Sequence, residues 1–182
     1  MIDRQQAFVL IKKYIKNEKL IHQSLLAEAI LRKIAKMLGT NEELWGLTGL
    51  LYNIDYEYAL EEPENRGIFA SQVLDGLLPD SCVNAIKSIN YQHSDYVPST
   101  SLDKSLVATA ALTDFLTSIA YSAPNNDISE FNLDILKNKF NETKFTNTNI
   151  KNRILLCNDI GIEFKDFLEI GMNTLKEILY KN

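Results

Sequence analysis

A chain of 182 residues, 46% hydrophobic and 24% charged, has the length of one domain and enough apolar side chains to fold without disulfides. A net charge of −5 at pH 7, with a pI near 5.1, argues against nucleic acid or an anionic membrane engaged through bulk charge. Cys82 and Cys157 stand far apart with no metal-type spacing, and no apolar run suits a leader or a membrane span. The expectation is a cytoplasmic protein forming a single domain over residues 1–182.

Helical periodicity dominates from the start. Asp3 and Gln6 are spaced as a capping box opening a first helix, with Phe8, Ile11, Tyr14 and Ile15 on one face. A second helix is predicted from about Lys19 to Leu38, stopped by Gly39. Thr40 and Glu43 read as the next capping box. The helix they open (Leu44, Leu47, Leu50, Leu51, Ile54) is apolar almost all round and so should be central. Pro63 suits the first turn of a helix running to about Leu77, and Pro79-Asp80 restarts the chain into one carrying Val83, Ile86 and Ile89. A polar loop from Tyr91 to Ser101 leads to a second strongly apolar helix, Leu102 to about Tyr121, whose Ala108, Ala110 and Ala111 favour close packing. After a turn at Pro124 to Asp127 come helices near Leu133–Phe140, Asn149–Ile160 and Glu163–Leu179, the last two separated by Gly161. No stretch alternates with period two. The fold class is all-α, a bundle of about eight helices.

Few residues suit catalysis. There are two histidines: His22 beside an apolar helix face and His93 in a polar loop, neither with a histidine three or four positions away. The chain has no HExxH, no Cys/His cluster, no GxSxG and no glycine-rich phosphate loop. The acidic run Asp55, Glu57, Glu61, Glu62 and Glu64 lacks the regularity of a calcium loop and reads as a solvated loop leading into a helix N-terminus. Lys137, Lys139, Lys144, Lys151 and Arg153 would suit a phosphate if the fold united them, and otherwise form solvated helix faces.

The stretch Leu44 to Glu57, which contains G-L-L-Y-N-I-D, resembles the central helix of HD-domain phosphohydrolases, where the phrase is G-L-L-H-D-I-D. Further pieces agree in order: Glu18 to Ile30 with the family's preceding helix, Pro63-Glu64-Asn65-Arg66-Gly67 with its P-E-x-H-G turn, Asn84 to Asn90 with A-I-K-x-H-N, and Lys104 to Thr113 with the helix bearing A-A-D-A-L-T. The resemblance implies an HD-like helical bundle. In that family a first histidine, the His-Asp pair and a later aspartate hold a divalent cation that polarises phosphate and acidifies bound water.

Here the corresponding positions are Gln23, the pair Tyr52-Asn53, and Ala110; the additional histidines of some members correspond to Arg66 and Ile89. A hard divalent ion wants anionic oxygens or imidazole nitrogens. Amides offer neutral carbonyls, tyrosine must first lose a proton of pKa about 10, and alanine offers nothing. His22 does not replace Gln23, because one helical step turns the side chain by about 100°. The expectation is a site with no metal, no cofactor and no catalytic residue, its remnant lined by Gln23, Tyr52, Asn53, Asp55, Arg66 and Ala110. In it Gln23, Tyr52 and Asn53 hydrogen-bond one another or water. Such a protein binds a small phosphate-containing ligand, with Arg66 as the anion holder, or a protein partner. For Arg66 the alternative is a surface ion pair with Glu62 or Glu64. The alternative function is a phosphohydrolase of a nucleotide or other phosphoester with an atypical ligand set, His22 and Asp55 among it.

Overall fold

The computed structural model describes residues 1–124 and 127–180, Tyr180 by its backbone alone. Among these residues nine α-helices follow one another with no strand: α1 (Arg4–Tyr14), α2 (Glu18–Leu38), α3 (Glu42–Leu51), α4 (Ile68–Leu74), α5 (Asp80–Lys87), α6 (Ser101–Ser122), α7 (Leu133–Asn141), α8 (Thr148–Ile154) and α9 (Phe164–Tyr180). The all-α expectation holds, with nine helices against about eight anticipated. The centre of the turn expected at Pro124 to Asp127, Asn125 and Asn126, lies outside the described residues.

Local chemistry explains most helix ends. Both halves of the Asp3–Gln6 capping box form, and Thr100 and Asp103 make a second one at the start of α6. Gly39 ends α2 at φ 65°, a left-handed conformation that lets its N–H reach back to Ala35 and Lys36. The α3 cap is a correction. The Asn41 side chain, not that of Thr40, accepts from Leu44 N (3.0 Å), while the Thr40 hydroxyl donates to the Ala35 carbonyl (3.3 Å) and so finishes α2.

The helix expected from Pro63 to Leu77 is also corrected. Pro63–Asn65 form one 3₁₀ turn, Arg66 is extended, and Gly67 turns the chain at φ 84° before α4 begins. A Cβ on Gly67 would lie 2.7 Å from the Ile86 carbonyl oxygen, so the close pass of this turn over α5 requires glycine. Likewise α8 gives way to a 3₁₀ segment, Leu155–Ile160, rather than running on.

One continuous apolar core runs from Ala7 and Ile11 of α1 to Leu168 and Leu175 of α9. The helix at its centre is α6, which packs on α2, α3, α5, α8, α9 and the 3₁₀ segment after α8. Its small residues Ala108, Ala110 and Ala111 are all buried, as their spacing predicts. Helices α2 and α3 pack closely, and a Cβ on Gly49 would lie 2.8 Å from the Ala27 carbonyl oxygen. Buried Glu28 ties this end together by accepting from Arg4 (2.6 Å) and Arg32 (3.1 Å), and Arg32 reaches on to Glu43 of α3 (2.8 Å). Among the described residues, no helix is long and apolar enough to cross a membrane.

Candidate functional site

The expected residues lie on four segments around the middle of α6. Gln23 is buried on α2, and its amide N–H₂ donates to Asp114 Oδ1 and to Thr117 Oγ1, both at 3.0 Å. Tyr52 ends α3, fully buried, with its hydroxyl 3.3 Å from Thr113 Oγ1. Burial pushes the Tyr52 pKa well up, so it is a neutral phenol. Asn53 is 1% exposed and its Oδ1 accepts from Arg66 Nη2 at 2.9 Å. Ala110 sits on α6 one turn before Asp114 and is buried. Gln23 and Tyr52 turn to α6 and Asn53 Oδ1 turns to Arg66, while the Asn53 side chain stays close enough to the Tyr52 hydroxyl to pull its pKa down against burial.

Arg66 does not pair with Glu62 or Glu64. Its guanidinium lies 4.4 Å from the centre of the Tyr56 ring and donates to Asn53, and Glu62 accepts from Asn65 instead. Asp55 needs a larger correction. It is 2% exposed rather than solvated, and its Oδ2 accepts from the backbone N–H groups of Gly67 (2.6 Å) and Ala70 (2.9 Å). It therefore caps the start of α4. The helix-terminus part of the acidic-run reading survives, because Asp55 serves α4 and Glu57 accepts from Lys16 N and Asn17 N before α2.

Two further residues belong to the site: Asp114, not singled out in the sequence, and Arg153, named there only within the late basic group. Asp114 has an open face to solvent, yet protein crowds round it. Desolvation raises its carboxyl pKa, against the pull of Arg66, Arg153 and Lys19. Arg153, on α8, donates from Nη2 to the Ile89 carbonyl at 3.4 Å. Burial lowers its pKa, Asp114 raises it and Arg66 lowers it further, so the two guanidiniums repel each other across the site. A polar stripe gave a usable signal. Thr109, Thr113, Asp114 and Thr117 recur at helical spacing on an otherwise apolar helix, and Asp114 is its one acid beyond the first turn. Elsewhere in the late basic group, Lys139 pairs with Glu142 and shares the Phe145 ring with Lys144, while Lys151 lies over Phe140.

Three buried donors here lack a partner: Asn53 Nδ2, Arg66 Nε and Arg153 Nε. Neither arginine has a carboxylate within 4.0 Å among the described residues. An unpaired buried donor costs about 1–3 kcal/mol, so the cluster is under-satisfied in donors. A cavity of about 380 Å³ lies under Asp55 on another side, and one of about 290 Å³ opens beside Arg66, with Tyr56, Asn90 and His93 in its wall. His22 faces a separate apolar cavity between α2, α6 and α9, turned from Gln23 as the helical step requires. Among the described residues, no three His, Cys, Asp or Glu side chains come together in metal-binding range. No family model, no curated protein and no solved structure matches the chain.

Proposed function

We propose that this protein is a degenerate HD-type helical domain that binds a small phosphate-containing ligand at its remnant site, without a metal, and does not hydrolyse it. The observation that carries the reading is the unsatisfied arginine pair. Arg66 and Arg153 repel each other with no carboxylate in ion-pair range among the described residues, and Asn53 Nδ2 adds a third free donor. A phosphate oxygen cluster relieves that repulsion and supplies acceptors, and guanidinium is the side chain best shaped for it. The cavity beside Arg66 gives the ligand its entry. The residue types support the absence of chemistry, since Gln23, Tyr52, Asn53 and Ala110 stand where the family's ligands would be. A cytoplasmic setting fits two unpaired, buried cysteines.

The test is calorimetric titration of chelator-treated protein with inorganic phosphate and with a phosphomonoester. Arg66→Met and Arg153→Met should each weaken binding about tenfold or more, the equivalent of about 1.4 kcal/mol. Added manganese should change neither affinity nor ligand integrity. Manganese-dependent release of phosphate, lost in Asp114→Asn, would instead make the protein a phosphohydrolase with an atypical ligand set. No binding by the wild type would sink the anion reading.

A further inference from the structure

The cavity between α2, α6 and α9, to which His22 turns, has a volume of about 360 Å³. Its walls are mostly aliphatic, supplied by Leu25 and Leu26 of α2, Ala120 of α6, and Leu175 and Ile178 of α9. Tyr121 and Leu179 also line it and are 48% and 44% exposed, which places them at the mouth and leaves apolar surface open to water there. The charge around the mouth is of one sign. No acidic side chain among the described residues lines the cavity. His22 is exposed, and its ring has no hydrogen-bond partner among the described residues. Lys19 lies almost one turn earlier on α2, with Nζ 5.0 Å from the centre of the Tyr121 ring. It has no carboxylate within 4.0 Å among the described residues, and Asp114 acts on it only at a distance. Both residues belong to the first two turns of α2, where the helix dipole adds to the attraction for an anion. Glu18, the acid of that first turn, is not part of the wall.

We propose that this cavity binds a free medium-chain carboxylate, its methylenes between α2, α6 and α9 and its carboxylate at the mouth with Lys19 and His22. The buried hydroxyl of the wall, on Thr117, is already taken by Gln23 and the Thr113 carbonyl. The body of the ligand is therefore hydrocarbon, which loses nothing by having no polar partner. At the mouth, an ammonium and an imidazole with no acid in the wall call for an anion rather than a cation. A carboxylate accepts from both, and the ammonium supplies the charge. The volume lies at the small end of ligand sites, which run from roughly 300 Å³ upward, and so suits a chain of about eight carbons. This site shares no residue with the arginine pair and does not rest on the phosphate reading, so either can fail alone.

Titration of the full chain with hexanoate, octanoate, octanol and octylamine, each below the concentration at which it aggregates, tests it. The expected order of affinity among the eight-carbon ligands is octanoate, then octanol, with octylammonium weakest. Each methylene added between hexanoate and octanoate should strengthen binding roughly fourfold, the equivalent of about 0.8 kcal/mol. Lys19→Gln should weaken octanoate about fivefold, the upper range for an exposed ion pair, and leave octanol unchanged. Ala120→Phe fills the cavity and should lose octanoate and octanol together. Should it fail to fold, the chain-length series and Lys19→Gln decide the matter. Arg66→Met should bind octanoate as the wild type does. Loss of octanoate in that variant would move the carboxylate to the arginine pair and overturn the proposal. So would no binding of octanoate by the wild type, equal affinity for octanoate and octylammonium, no gain from hexanoate to octanoate, or undiminished binding by a folded Ala120→Phe.

Discussion

A carboxylate crowded by protein resists ionising, and Asp114 is in that position even though three cations pull the other way. Its folded pKa lies above its unfolded one, so between the two the native state holds more protons than the unfolded chain. Stability is therefore fully present below the ordinary carboxylate value and is lost as pH rises through the raised one. Buried Asp55 acts with the same sign, since burial outweighs its backbone donors and the pull of Arg66. Asp114→Asn keeps an acceptor for Gln23 and removes the charge. Its midpoint of thermal unfolding should fall less than that of the wild type as pH rises above about 4. An unchanged slope would assign the effect to other groups. Asp114 itself is easy to notice as the lone acid beyond the first turn of α6. Its partner Gln23 stands 91 positions away, and no periodicity reports such a meeting.

At the level of the helices, most boundaries follow from side chains within a few positions of the end. Those are interactions a sequence displays, as the Asp3–Gln6 box and the Gly39 stop illustrate. The α3 start shows the limit. Thr40 and Asn41 are both good caps by type, and what separates them is that the α2 C-terminus claims the Thr40 hydroxyl. Asn41→Ala should cost about 1 kcal/mol, the usual worth of an N-cap, and Thr40→Ala clearly less, both read from urea unfolding. Equal costs would return the cap to Thr40. The break at Gly67 was hidden for another reason. Pro63 is a legitimate helix start, and the demand for a left-handed residue arises only because this turn passes close over the Ile86 carbonyl of α5.

Across the whole molecule, both thiols are sealed in the core, Cys82 and Cys157 each with no exposed surface. Burial also pushes the Cys157 thiol up to about 11, which leaves almost no thiolate at neutral pH. A chromogenic disulfide reagent should find essentially no thiol in the native protein and two in denaturant. Rapid stoichiometric reaction of the native state would show that the packing around α6 opens readily.

The amino-acid sequence by itself determined the helical class and the approximate ends of most helices, because periodicity and caps are local properties. It also told His22 from Gln23 correctly, since a helix of known pitch assigns faces. Only the tertiary structure decided which polar groups meet. It set Arg153 of α8 against Arg66 and Asp114, and it buried Asp55 at the start of α4. Helical period specifies which way a side chain turns but not what waits there. That second fact comes from packing segments tens of residues apart on α6.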